Sequence, residues 1–170
     1  MFKKILTIFL YIFSTFSVYK NTTTVPNIKE NKIIQTEEVE KVLMTLEIPS
    51  LRIKNKIYNI DSKENNIDKN VIIVKNSSMP DSKNGLIIIG AHSGIGKYAY
   101  FKDLDKLKIG DEIFITYNNK IYTYIINEIY LDDKDGNIIV NNDKNKKQLY
   151  LFTCNPKDKK NYLIISCIEK

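Results

Sequence analysis

The sequence predicts an all-β domain, a barrel or a sandwich built from many short strands. Three observations carry this reading. Short runs rich in Ile, Val, Tyr and Phe recur from Leu46 to the C-terminus, turn residues separate them at regular spacing, and only Phe101 to Lys108 has apolar residues spaced for a helix. No internal repeat and no low-complexity block interrupts the pattern.

With 170 residues and 43% hydrophobic content the chain can build one domain with a real core, and two would be a squeeze. The formal charge of +6 comes from 26 Lys+Arg against 20 Asp+Glu, yet Arg52 is the sole arginine. Nucleic-acid recognition leans on arginine and on clustered basic faces, so no nucleic-acid partner is expected. The lysines are spread with Asn and Asp through turns such as NNDKNKK (141–147), which reads as a solvated surface with some attraction to an anionic envelope.

The N-terminus, MFKKILTIFLYIFSTFSVYK, places Lys3 and Lys4 before a charge-free run from Ile5 to Tyr19. Residues 1–20 therefore read as a signal or membrane anchor, and with no A-x-A-like site after them an uncleaved anchor is preferred. Two lysines before the run and only Lys20 after it favour an internal N-terminus, giving a single-pass membrane protein with its folded part extracellular. Residues 21–41, rich in Asn, Thr, Lys and Glu, read as a flexible tether with a short helical end near Glu37 to Val42. The folded domain is then 42–170.

Within it, LEIPSLRIKNKIYNI (46–60) holds short β-branched segments broken by Pro49 and by a turn at Lys54 to Lys56. GLIIIGAH (85–92) is an apolar run short enough for a fully buried strand. FKDLDKLK (101–108), apolar at 101, 104 and 107, predicts about two helical turns. EIFITY and IYTYIINEIYL flank Asn118-Asn119, which suits a tight hairpin turn. LYLFTC and YLIISCI surround NPKDKKN as a last hairpin.

The chemistry lies at strand ends. His92, the only histidine, ends the GLIIIGA run, and Cys154 ends LYLFT. A lone histidine is ordinarily a surface or satisfied core residue, and a free cysteine behaves as a small hydrophobe. The two together admit another reading, because a thiol becomes a good nucleophile when an imidazole or a positive field favours its thiolate. Asp132, Asp133 and Asp135 in LDDKDGN fail the EF-hand spacing, and Asp135-Gly136 reads as an ordinary hairpin turn. Gly94 and Gly96 read as loop flexibility beside His92. No metal and no cofactor is called for.

Four segments, in order, resemble the sortases, membrane-anchored cysteine transpeptidases of Gram-positive surfaces. LEIPSLRIKNKIY is similar to the family's opening strand, MPDSKNGLIIIGAHSG to its histidine segment, YFKDLDKLKIGDEI to its F-x-x-L-x-x-L-x-x-GD connection, and LYLFTC to the T-L-x-T-C strand that presents the nucleophile. Each is unspecific alone; their order behind an N-terminal anchor carries the resemblance, which spans Leu46 to Ile168. It implies a closed eight-stranded β-barrel with one or two short helices and a sorting-signal groove running toward a His92–Cys154 pair. The separation of these two residues, 62 positions (154 − 92), leaves no room for the long helical insertion of one sortase class. By the same resemblance, Cys154 attacks the Thr–Gly bond of an LPXTG-like signal to form a thioacyl intermediate, and His92 protonates the leaving amine and then assists an incoming one. The implied partners are surface proteins with an LPXTG-like C-terminal sorting signal, and an amine acceptor such as a peptidoglycan precursor or a pilin lysine.

One position departs from the pattern. Sortases carry an arginine on the strand after the cysteine, and alignment of the apolar pattern puts Tyr162 there. A tyrosine hydroxyl donates one hydrogen bond without charge, whereas Lys159 and Lys160 bring charge without the planar fork. Loss of a transition-state donor typically costs about 10² to 10³ in rate. Tyr162 and Thr153 are thus the candidates for positioning substrate or transition state. A catalytically weak or inactive homologue that binds peptide at the cell envelope stays open beside the enzyme. A disulfide between Cys154 and Cys167 is disfavoured by register, since antiparallel pairing sets Cys167 opposite about Leu149.

Overall fold

A computed structural model of the chain describes residues 41–170. The anchor expected at 1–20 and all of the tether expected at 21–41 except Lys41 lie outside the described residues.

The first strand, β1 (Val42–Ile48), alternates so that Met44, Leu46 and Ile48 are buried. Val42 opens this strand and sits opposite Tyr58, so the helical end expected near Glu37 to Val42 does not extend to Val42. The chain then reverses through a single 3-10 turn at Pro49–Leu51, where Pro presets the backbone and Arg52 takes a left-handed conformation with φ 55°. This turn lies upstream of the one expected at Lys54 to Lys56. Those two lysines stand inside β2 (Ile53–Tyr58), exposed at alternate positions, because a strand pairing on one face tolerates charge on the other.

Short β3 (Ile72–Ile73) pairs antiparallel with β4 (Gly85–Gly90). The segment 101–108 forms one 3-10 turn at Leu104–Lys106 in place of the expected helix. Phe101, Leu104 and Leu107 are all buried, and their strict spacing of three fits three residues per turn better than 3.6. β5 (Glu112–Tyr117) and β6 (Lys120–Asp133) form the expected hairpin, with Asn118 and Asn119 at φ 47° and 60°, the left-handed pair of a type I′ turn. β6 bends where its register with the last strand shifts between Ile126 and Glu128. β7 (Lys147–Cys154) and β8 (Asn161–Glu169) complete the sheet.

The eight strands run in the order β2-β1-β5-β6-β8-β7-β4-β3. A bridge between Ile57 and Val71 joins the two edges, so the sheet nearly closes on itself as the expected all-β barrel. Its interior is lined by one face of each strand. Leu149, Leu151, Leu163, Ile165 and Cys167 contribute from β7 and β8 to this core. Each fully buried aliphatic side chain of this kind contributes roughly 1.5–3 kcal/mol. Cys167 lies opposite Leu149, far along the hairpin from Cys154, as the register argument requires. Burial pushes its thiol far above the usual range, which leaves it inert.

One pairing differs in kind from its neighbours. β4 and β7 run parallel, in register from Gly85 with Lys147 to Gly90 with Phe152, and the match continues beyond the strand. The amide of Ala91 donates to the Phe152 carbonyl at 3.4 Å, and the buried Thr153 hydroxyl donates to the Ala91 carbonyl at 2.7 Å. The Ser93 hydroxyl donates to the carbonyl of Cys154. Thr153 therefore spends its hydroxyl on locking two strand ends together. Thr153→Val keeps the shape and removes the donor, so we expect urea denaturation to show a loss of about 1–3 kcal/mol. Wild-type stability in that variant would contradict the locking role.

Candidate active site

Alternation along β7 decides which side chains reach the site. Leu149, Leu151 and Thr153 point inward, so Tyr150, Phe152 and Cys154 lie on the outer face. On β4 the same rule buries Ile87, Ile89 and Ala91 in the barrel and turns Leu86, Ile88 and, one step past the strand, His92 outward. Because the strands pair at a constant offset of 62, Cys154 and His92 occupy corresponding positions at neighbouring parallel strand ends. Neighbouring strands lie roughly 4.8 Å apart. Both side chains are half-buried, on one face and at one end of the sheet.

Glycine at position 90 serves this placement. A Cβ there would come within 2.3 Å of the Phe152 ring, so only a bare backbone lets that ring lie across β4. Phe152 then meets Tyr162 edge-on, with ring centroids 6.3 Å apart and planes at 89°. Tyr162 is the partner of Cys154 in the β7–β8 register, so the two share the outer face beside the thiol. Tyr162 thus lies on the outer face of β8, paired with Cys154. Thr153 belongs to the opposite face, and its hydroxyl is engaged inside the barrel.

His92 and Cys154 have separate side-chain partners. The imidazole Nε2 of His92 lies 3.3 Å from the Asp68 carboxylate, which reaches over from the loop between β2 and β3. Tyr100 fastens that loop by donating to the Lys69 carbonyl at 3.1 Å. The sulfur of Cys154 accepts from the ammonium of Lys134 at 3.2 Å. The same ammonium stands 5.8 Å from the centre of the Tyr162 ring. Hydrogen bonding to Cys154, followed by the charge of its sulfur, holds the Lys134 ammonium above the usual lysine range. A cation at this distance favours an anionic sulfur.

The segment between β6 and β7 roofs the outer face. Ile138 and Val140 pack on a cluster centred on Leu86, Tyr150 and Ile164. Tyr130 donates to the Ile139 carbonyl at 2.8 Å, and burial pushes its phenol up to about 12, which keeps it a neutral donor. Gln148 and Tyr150 donate to the Asn141 carbonyl at 2.8 and 3.1 Å. Within this segment the Asp135-Gly136 turn leads to no further strand, so it is part of a loop and not of a sheet hairpin. The carboxylates of Asp132 and Asp135 accept backbone amides from Ile139 and Asn137, both at 2.9 Å.

Two residues of this site carry no sequence signal of their own. Lys134 is one lysine among many, in a stretch that reads as a turn, and is 20 positions from the thiol it meets. Asp68 lies 24 positions before His92, in a segment with no recognisable motif.

Comparison with known proteins identifies the fold. The model of the sortase domain matches residues 46–168. Among solved structures, sortase A from Corynebacterium diphtheriae, as a lid mutant, superposes with a TM-score of 0.69 at 21% identity, covering 80% of this chain and 74% of that one. Sortase C from Clostridium perfringens with the C-terminal cell wall sorting motif gives 0.66 at 28% identity, over 77% and 71%. A Clostridium perfringens sortase D5 transpeptidase gives 0.65 at 25% identity, over 76% and 79%. No curated protein matches the chain in sequence.

The contrast between the two thiols has a direct readout. Iodoacetamide should label Cys154 in the folded protein and leave Cys167 untouched until denaturant is added. Peptide mapping that found both labelled at similar rates would contradict the burial of Cys167.

Proposed function

The chain belongs to the sortase family, and on that premise we propose that it is a cysteine transpeptidase that cleaves an LPXTG-like sorting signal. The observation that carries the reading is the placement of His92 and Cys154 at corresponding ends of the parallel β4 and β7, on one outer face. The sulfur of Cys154 attacks the threonine carbonyl carbon, and a C–S bond forms as a tetrahedral intermediate. Collapse breaks the C–N bond to glycine, and the departing nitrogen takes a proton from His92. The product is a thioacyl-enzyme. An incoming amine then gives a proton to His92 and attacks the thioester, and the sulfur leaves.

Tyr162 supports the positioning half of this reading, because its ring lies beside the thiol on the same face and its hydroxyl is a neutral donor for a developing oxyanion. The donor protein is proposed to carry its signal at the C-terminus, as in the motif bound by the Clostridium perfringens relative. The acceptor is proposed to be a peptidoglycan precursor amine or a pilin lysine. The uncharged N-terminal run supports attachment as a single-pass membrane protein with the barrel outside.

A second reading is a homologue that binds sorting peptides without turning them over. The observation that favours it is an uncharged tyrosine paired with the cysteine.

Incubation with an LPXTG-like peptide should yield an acyl adduct on Cys154 by mass spectrometry, and both Cys154→Ala and His92→Ala should abolish transfer with the fold retained by circular dichroism. Full turnover by either variant would sink the mechanism; a wild type that binds peptide and never cleaves it selects the second reading. Tyr162→Phe is expected to lower turnover about tenfold, which corresponds to about 1.4 kcal/mol in the transition state. An unchanged rate would reduce Tyr162 to a packing partner of Phe152.

A further inference from the structure

We propose that Lys134 is a catalytic residue of this chain, supplying from the end of β6 the positive charge that holds the Cys154 sulfur as its reactive anion. The inference rests on the transpeptidase reading for its role in turnover, and on geometry alone for its role at the sulfur.

β6 runs alongside β8, with Asp132 opposite Tyr162 and Asp133 opposite Asn161, so Lys134 is the first residue beyond the paired strand. Tyr162 in turn faces Cys154 across the β7–β8 ladder. Three adjacent strands thus deliver ammonium, ring and thiol to one spot. The backbone around Lys134 is fixed from both sides. Asn161 donates to the Asp133 carboxylate at 3.2 Å before it, and the Asp132 and Asp135 carboxylates hold the turn after it. Gly136, with φ 98°, supplies the left-handed step of that turn.

The charge is directed at the sulfur. Among the described residues, the ion pairs engage Lys54, His92, Lys106, Lys146, Lys147 and Lys170, while the Lys134 ammonium goes to Cys154 at 3.2 Å. The titratable groups facing the thiol come from each neighbouring element. They are His92 after β4 with its partner Asp68, Tyr162 on β8, and Lys134 after β6, with Asp132 and Asp133 on the strand that carries it. Of these, Lys134 is the one lysine, a side chain that is cationic across the neutral range. Once the sulfur is acylated, its negative charge is gone and the ammonium is released to face the oxygen that gains charge in the tetrahedral intermediate. Lys157, Lys159 and Lys160, the lysines nearest Cys154 in sequence, lie in the exposed β7–β8 turn.

The test is the pH profile of iodoacetamide alkylation at Cys154 in the full chain, in which the sulfur displaces iodide and no sorting peptide is needed. Lys134→Met should slow alkylation at neutral pH by about tenfold and move the profile alkaline. Lys134→Arg, which keeps the charge, should stay within about threefold of wild type. On a cleavable peptide, Lys134→Met should also lower kcat by about tenfold or more. A Met variant with the wild-type alkylation profile and an unchanged circular dichroism spectrum overturns the proposal, whatever its turnover. If the wild type cleaves no peptide, the transpeptidase reading fails while the alkylation profiles still decide the role of Lys134.

Discussion

Parallel pairing of β4 with β7 is the constraint on which the site depends. Antiparallel neighbours joined by a tight turn put residues close in sequence beside each other, whereas a parallel pair brings together residues separated by a whole crossover. Here the crossover includes β5 and β6 and returns in a register offset of 62, the separation of His92 and Cys154. A slip of one residue would turn Cys154 into the barrel and expose Thr153 in its place. The Thr153 to Ala91 and Ser93 to Cys154 hydrogen bonds guard against that slip at the point where it would matter. Gly90, pressed against Phe152, guards it sterically.

Much of this was legible in the sequence because it is local or periodic. The runs GLIIIGA and LYLFT announce buried strands, and the Asn118-Asn119 turn announces its hairpin. Alternation separated Tyr162 from Cys167, and antiparallel pairing counted from the hairpin end set Cys167 opposite Leu149, as found. The errors have physical causes. Lys54 and Lys56 suggested a turn because charge is common in turns, yet they alternate on an edge strand. The 101–108 segment suggested a helix because apolar residues at steps of three satisfy both helical periods roughly, and a 3-10 turn satisfies them best. Lys134 and Asp68 were illegible for another reason. Their roles arise from β6 meeting β8 and from a loop folding over β4, and no pattern of residue types encodes where a long side chain ends.

The site also divides its charges by element. Asp68 stands with the imidazole, Lys134 stands with the sulfur, and the aromatic pair Phe152–Tyr162 lies beside the thiol. Lys134 is exposed, so its action on the sulfur depends on the 3.2 Å contact itself and weakens with added salt. The β6–β7 roof covers the outer face through Ile138 and Val140, and it is pinned by Tyr130, Gln148 and Tyr150 through backbone carbonyls.

The central claim is that His92 and Cys154 share one face at neighbouring strand ends. Proton cross-relaxation by NMR tests it most directly, because the only histidine of the chain gives unambiguous ring signals. Contacts from the His92 ring to the Cys154 methylene, together with backbone contacts between Ala91 and Phe152, are the expected result. A Cys154 methylene that reports only interior methyl groups such as Leu163 and Ile165, with the His92 ring remote from it, would contradict the register and the site built on it.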